Sequence, residues 1–176
     1  MKKKIFMIIT VLMLCLLAGG CSVEVQNDPN TQSVYYLYDI SADETQLEKV
    51  AYNPEETTAE YMLKDMMQQM NQKEDDVERI SLLPDDVQMN YSVEGEVLVV
   101  NFNSQYTQMS KAREILVRAG VVKTFLQVPG ISAVRFTVEN QDLTDSKGES
   151  VGEMTADTFA EFSGNEPDAY CSTTFT

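Results

Sequence analysis

The chain has 176 residues, with 13 Lys+Arg against 28 Asp+Glu, no His, no Trp, 3 Cys and a formal charge of −15. That length holds one ordinary domain with a buried core. The absence of histidine excludes His-based triads, His–Cys nucleophile pairs and His-ligated zinc or iron, and the negative charge argues against nucleic acid or an electrostatically held membrane surface as a partner.

The chain opens with Lys2, Lys3 and Lys4, followed by an apolar run from Ile5 to Ala18 that only Thr10 interrupts. A charged start and a run too short to span a bilayer comfortably form a secretory signal over residues 1–20. The small pair Gly19-Gly20 directly before Cys21 resembles a bacterial lipobox. That resemblance implies that Cys21 is diacylated and becomes the new N-terminus, so that lipid anchors the protein on the extracytoplasmic face of the cell membrane. Cleavage leaves 10 Lys+Arg against 28 Asp+Glu, a mature charge of −18. With Cys15 removed and Cys21 capped, Cys171 is the remaining thiol, and no intramolecular disulfide forms. Its acidic neighbour Asp168 is the opposite of what a nucleophilic thiol needs.

Residues 21–33 read as the lipidated Cys and a polar tether, with Asn27-Asp28-Pro29-Asn30 at its centre. Val34-Tyr35-Tyr36-Leu37-Tyr38 is aromatic and β-branched, as a buried strand requires. Asp39 to Thr45 turns the chain toward an extended piece at Leu47 to Tyr52, whose status as a strand stays open. Asn53, Pro54, Glu55 and Glu56 form a helix start, with a cap, a proline at the first position and acids at the positive dipole end. The helix over 54–71 carries Ala59, Met62, Leu63, Met66, Met67 and Met70 on one stripe, read as core packing. Residues 71–78 form a charged loop.

Val87 to Val93 and Val97 to Phe102 read as a hairpin joined at Glu94-Gly95. Val97-Leu98-Val99-Val100 is apolar on both faces and belongs in the centre of a sheet. A second helix runs from about Met109 to Leu126, with Ala112, Ile115, Leu116, Ala119, Val122 and Leu126 on one face. Gly120 inside it costs about 1 kcal/mol relative to Ala and implies a close backbone approach. Pro129-Gly130 stops that helix, and Ala133 to Val138 alternates as a strand. The order β-α-β-β-α-β predicts an α+β fold in the split arrangement, an antiparallel-rich sheet of about four strands with two helices on one face. Residues 144–162 form an extension packing on the domain, with a short helical piece at Thr155 to Phe162 docked by Phe159 and Phe162. Residues 163–176 read as a disordered tail.

Three stretches carry a family resemblance over residues 34–143. They are Leu83-Pro84-Asp85-Asp86-Val87 with the hairpin Val93 to Phe102, then Thr124-Phe125-Leu126-Gln127-Val128-Pro129-Gly130-Ile131, then Val134-Arg135-Phe136. Gly152 to Phe159 is similar to a C-terminal feature of some single-domain members. Together these stretches resemble the GerMN domain of sporulation and germination proteins and cell-surface lipoproteins. At Glu139-Asn140-Gln141-Asp142 the chain departs from the family's usual Asp-Gly-Lys-like turn. The resemblance carries over no catalytic residues, and the sequence points to no cofactor and no metal. The resemblance implies an extracytoplasmic assembly or adaptor domain, with a protein partner in a cell-envelope complex.

Three candidate sites stand beside that reading. Asp85 or Asp86 with Glu94 or Glu96 would make an acid–base pair for wall-glycan cleavage; all four also suit turns and strand ends. Asp142, Asp145 and Glu149 surround the turn Ser146-Lys147-Gly148 without the spacing of an EF-hand, which favours a solvated turn over calcium. Tyr35, Tyr36, Tyr38, Tyr52, Tyr91 and Tyr106 would stack on peptidoglycan sugars if they shared one face, but strand alternation splits the set.

Overall fold

The computed structural model describes residues 31–41, 44–71 and 79–160, and Cys21, the 1–20 leader, Phe162, Cys171 and the 163–176 tail lie outside them. The first strand, β1 (Gln32–Ser41), pairs antiparallel with β2 (Glu44–Tyr52) from Gln32↔Tyr52 to Ser41↔Glu44, with a register shift between Asp39 and Ser41. The extended piece before Tyr52 is therefore a nine-residue strand. On the other side of β1, the short β3 (Arg79–Ile80) pairs with Tyr38 and Leu37. Val34, Tyr36 and Leu37 are all buried, and alternation puts the first two on one face and Leu37 on the other, so β1 is covered on both faces.

Helix α1 (Ala59–Met70) begins five residues later than the Asn53-Pro54 signal predicts. Thr58 is its cap, accepting from the Tyr61 N–H at 3.4 Å. Two successive β-branched threonines resist helical χ1 geometry, and the second offers a hydroxyl to an orphan donor, so the helix starts after them. Met62, Leu63, Met66, Met67 and Met70 are its buried residues, as the stripe predicts.

β4 (Met89–Glu94) and β5 (Val97–Phe102) form the expected hairpin, in full antiparallel register through the two-residue turn Gly95-Glu96. Gly95 has φ +65°, the conformation required at the first central position of a type II′ turn. A 3-10 turn at Ser104–Gln108 leads to α2 (Lys111–Phe125), whose cap Ser110 accepts from the Arg113 N–H at 3.2 Å. β6 (Ala133–Val138) then lies parallel to β5, with Val97↔Ala133 through Phe102↔Val138. β7 (Gln141–Asp142) and β8 (Glu153–Met154) both pair antiparallel with β6, and a 3-10 turn, Ala156–Phe159, places Phe159 in the core. Of the helical piece that the sequence predicts from Thr155, the described part is this 3-10 turn, and residues 161–162 lie outside the described residues.

The α+β class and the two helices follow the sequence, but the strands divide into two sheets rather than one. One has the order β2-β1-β3; the other runs β4-β5-β6, with β7 and β8 both on the far side of β6. The reason lies beside the first residues of β1. The Tyr35 N–H donates to Thr124 Oγ1 at 3.2 Å and the Ser33 N–H donates to Gln127 Oε1 at 2.7 Å. Side chains from the end of α2 thus occupy the place another strand would take, and β6 pairs with β5 instead.

Helix α2 touches β1 and β2 of one sheet, β6 of the other, and the Ala156–Phe159 turn. Ile115 through Val122 are buried without a break, so the single apolar face read from the sequence becomes burial on nearly every side. Gly120 is the point of closest approach: a Cβ there would lie 2.8 Å from Leu82 Cδ1 and 3.3 Å from Leu47 Cδ2. Among the described residues, no helix is long and apolar enough to cross a membrane.

Candidate functional site

Several polar residues in or next to the family-like stretches hold backbone. Gln127 Nε2 donates to the Ser33 and Lys123 carbonyls, each at 2.7 Å, while its Oε1 accepts from the Ser33 N–H. One amide side chain therefore completes a two-way pairing with a strand edge. Asn101 Oδ1 accepts from the Thr137 hydroxyl and the Asn140 N–H, both at 2.8 Å. Asn103 donates from Nδ2 to the Asp86 carbonyl at 2.9 Å, and its Oδ1 accepts from the Gln88 N–H at 3.1 Å. Asn101 and Asn103 so fasten the loop before β4 and the turn after β6 to the end of β5. In that turn Glu139 and Asn140 both adopt positive φ, +51° and +62°, between the paired residues Val138 and Gln141. This is a type I′ geometry built without glycine. Glu139 Oε1 accepts from the Ser104 N–H at 2.8 Å, which ties the turn to the 3-10 segment.

The candidate carboxylate pair is not assembled. Asp85 and Asp86 precede β4 and Glu94 ends it, so the two groups are separated by about 20 Å at ~3.4 Å per strand residue, against about 5–9.5 Å for glycosidase pairs. Glu94 is ion-paired with Arg135, which also lies 3.9 Å from Asp142. Glu96 accepts from the Ser132 hydroxyl at 3.2 Å. At the proposed calcium turn, Asp145 Oδ1 accepts from the N–H groups of Lys147 and Glu149 at 2.8 and 2.9 Å. Its carboxylate holds the turn from within. Among the described residues, no three Asp, Glu or Cys side chains gather closely enough to hold a metal ion.

The tyrosines separate by burial. Tyr36, Tyr52 and Tyr106 are core residues, while Tyr35, Tyr38 and Tyr91 are half-buried. Burial raises the Tyr35 hydroxyl above its ordinary value. Burial and the Asp65 carboxylate raise Tyr52. Burial also raises Tyr106 well above the usual range, opposed by the neighbouring Arg118. Tyr106 stacks on Phe102 with centroids 4.3 Å apart, and its hydroxyl donates to Glu114 Oε1 at 3.2 Å. Arg118 Nη2 lies 3.7 Å from the same oxygen, with its side chain wholly buried. Hydrophobic periodicity gave no warning of this buried guanidinium; the only signal was a charged residue one helical turn after Glu114, inside an otherwise apolar stretch.

Among the described residues two long strands end their sheets, β2 in one and β4 in the other, and β2 carries a lysine, Lys49, where β4 carries none. The Gln88 carbonyl accepts from the Asn103 N–H at 3.1 Å, so by antiparallel alternation Asn90, Ser92 and Glu94 exchange hydrogen bonds with β5. The backbone groups of Met89, Tyr91 and Val93 point away from the sheet. Their side chains lie on the core face, and Val93, 46% exposed, is the exposed large hydrophobic among the described residues. Residues 80–110 contain no Lys or Arg, and acids flank β4 on both sides at Asp85, Asp86, Glu94 and Glu96.

The fold is similar to that of the tandem GerMN domains of the sporulation protein GerM from Bacillus subtilis, with a TM-score of 0.52 and 15% identity over 72% of this chain and 46% of that one. The chain therefore spans less than half the length of that tandem structure. The first GerMN domain of the same protein aligns at a TM-score of 0.49 and 16% identity, over 68% of this chain and 91% of that one. No curated protein matches the sequence. Residues 33–144 match the model of the Germane family, described as sporulation and spore germination, and since that span is more than half of the sequence, the chain belongs to this family.

Proposed function

We propose that this protein is a lipoprotein anchored through Cys21 on the extracytoplasmic face of the membrane, and that its domain is a non-catalytic assembly module of a cell-envelope complex in sporulation or germination. The observation that carries the adaptor reading is the use of the family-like polar side chains. Thr124, Gln127 and Asn101 all bond to the domain's own backbone, which is the behaviour of a scaffold. The anchor rests on Lys2 to Lys4, the apolar run and Gly19-Gly20-Cys21. From Cys21 to Thr31 is a reach of at most about 35 Å of extended chain, so the complex would present its binding surface close to the bilayer. A mature charge of −18 holds the domain off anionic headgroups and favours a protein contact.

The test has two parts. Cys21→Ala should release the protein into the medium, and retention in the membrane fraction would overturn the anchor. Affinity capture of the wild-type lipoprotein from detergent-solubilised sporulating cells should recover a defined membrane assembly. Recovery of the lipoprotein alone, with sedimentation of the protein on purified peptidoglycan, would replace the adaptor reading with wall binding.

A further inference from the structure

We propose that the outer edge of β4, unpaired among the described residues, is a docking strand for an extended segment of a partner protein that alternates apolar and basic side chains. The proposal deepens the adaptor reading and rests on it for its biological setting, although the pairing itself is a property of the edge.

Exposed sheet edges are usually protected against pairing by lysines, prolines, bulges or a covering element. β4 has none of these along Met89–Glu94: no Lys or Pro, an unshifted register, and no strand beyond it among the described residues. Three consecutive alternate residues, Met89, Tyr91 and Val93, turn their N–H and C=O groups outward. The same three place their side chains on the core face, where Met89 and Tyr91 pack against the core and Val93 stays exposed. An added strand would therefore find backbone pairing and, on one face, an apolar row about 5 Å away to lie beside.

Charge selects the kind of segment. Arg135 already meets Glu94, but Asp86 before the strand and Glu96 after it are acids, and no base lies between 80 and 110 in sequence, so a segment with Lys or Arg on its other face is drawn in. A second copy of the chain is disfavoured by the same arithmetic. In the antiparallel self-pairing centred on Tyr91, which lines up the most apolar side chains, the Asp86 end of each copy meets the Glu96 end of the other just beyond the paired residues, and like charges there repel. The two whole chains also carry −15 each.

The experiment follows amide hydrogen exchange by NMR on the ¹⁵N-labelled full chain in zwitterionic micelles. The probe is a capped heptapeptide of alternating Lys and Val, and the control alternates Glu and Val. The Lys-Val peptide should slow exchange at Met89, Tyr91 and Val93 at least tenfold, leave the already paired Asn90, Ser92 and Glu94 nearly unchanged, and do nothing when Val93→Pro removes one outward N–H. The Glu-Val peptide should have no effect. Unchanged exchange at the three amides with millimolar Lys-Val peptide would overturn the proposal, as would equal slowing by both peptides. Slowing that grows with protein concentration in the absence of peptide would assign the edge to a second copy and overturn the basic partner. None of these outcomes depends on Cys21 or on capture from cells, so failure here leaves the anchored-adaptor reading to its own test.

Discussion

Tyr106 and Tyr52 have only 1% and 4% of their surface exposed, and burial is the first cause raising both hydroxyls above the ordinary value of 10.0. A tyrosine whose folded-state value is raised stays neutral in the native protein when the unfolded chain has begun to ionise. Its contribution is complete below the unfolded value and is lost as pH rises above it, at up to about 1.4 kcal/mol per pH unit for each group. Stability from urea unfolding should therefore be level to about pH 9 and fall between about pH 10 and 11, with a shallower fall in Tyr106→Phe. An unchanged slope in that variant would show that Tyr106 ionises as readily in the folded protein as in the unfolded one. The sequence identified the tyrosines as a set, but only burial separates core members from half-exposed ones. Alternation along β1 already split Tyr35 from Tyr36 and Tyr38; nothing local foretold that Tyr106 would stack on Phe102 above a buried Arg118.

At the scale of elements, amphipathicity was a sound guide for α1 and a poor one for α2. The methionine stripe of α1 is its buried face, because one side of that helix is solvated. α2 contacts both sheets, and its polar residues Arg118 and Thr124 are as buried as its valines. The motif after α2 was legible as a family mark, but its purpose was not. Gln127 closes the edge of β1 by bonding in both directions to Ser33, itself 9% exposed. Gln127→Ala should cost about 2 kcal/mol, the desolvation of stranded donors and acceptors, read as a lower urea midpoint with unchanged m-value. Gln127→Glu keeps the acceptor for the Ser33 N–H but turns a carboxylate toward the Ser33 and Lys123 carbonyls. It should cost at least as much at pH 7 and recover, relative to wild type, below about pH 4, where the acid regains a donor. A neutral Gln127→Ala would remove this side chain from the account of why the strands part into two sheets. Turn signals fared well where glycine marks them, as at Gly95, and failed at Glu139-Asn140. There a non-glycine pair is held in positive φ by Asn101 and Ser104, which come from distant sequence.

At the scale of the whole molecule the excess of acid is the dominant fact. With 28 acids against 13 bases, self-repulsion opposes the compact state, and mobile ions relieve it. Raising ionic strength from about 10 mM to about 150 mM, where the Debye length falls from ~30 to ~8 Å, should raise the thermal midpoint by several degrees. The gain should continue only weakly toward about 1 M sodium chloride. A midpoint that falls on adding salt would mean that favourable ion pairs, such as Arg135 with Glu94, outweigh the repulsion.

The sequence alone determined the α+β class, both helices, the central hairpin, the strand at Ala133–Val138, the family likeness and the exclusion of histidine chemistry. These are set by local periodicity, by turn and cap residues, and by composition, all of which act over a few neighbouring positions. Only the tertiary structure decided that the strands form two sheets, that α2 lies buried between elements of both, and that β4 ends its sheet among the described residues. Those outcomes depend on which long-range neighbour satisfies a given backbone group. For β1 the neighbour is a threonine and a glutamine some ninety residues away, and no local pattern specifies that choice in advance.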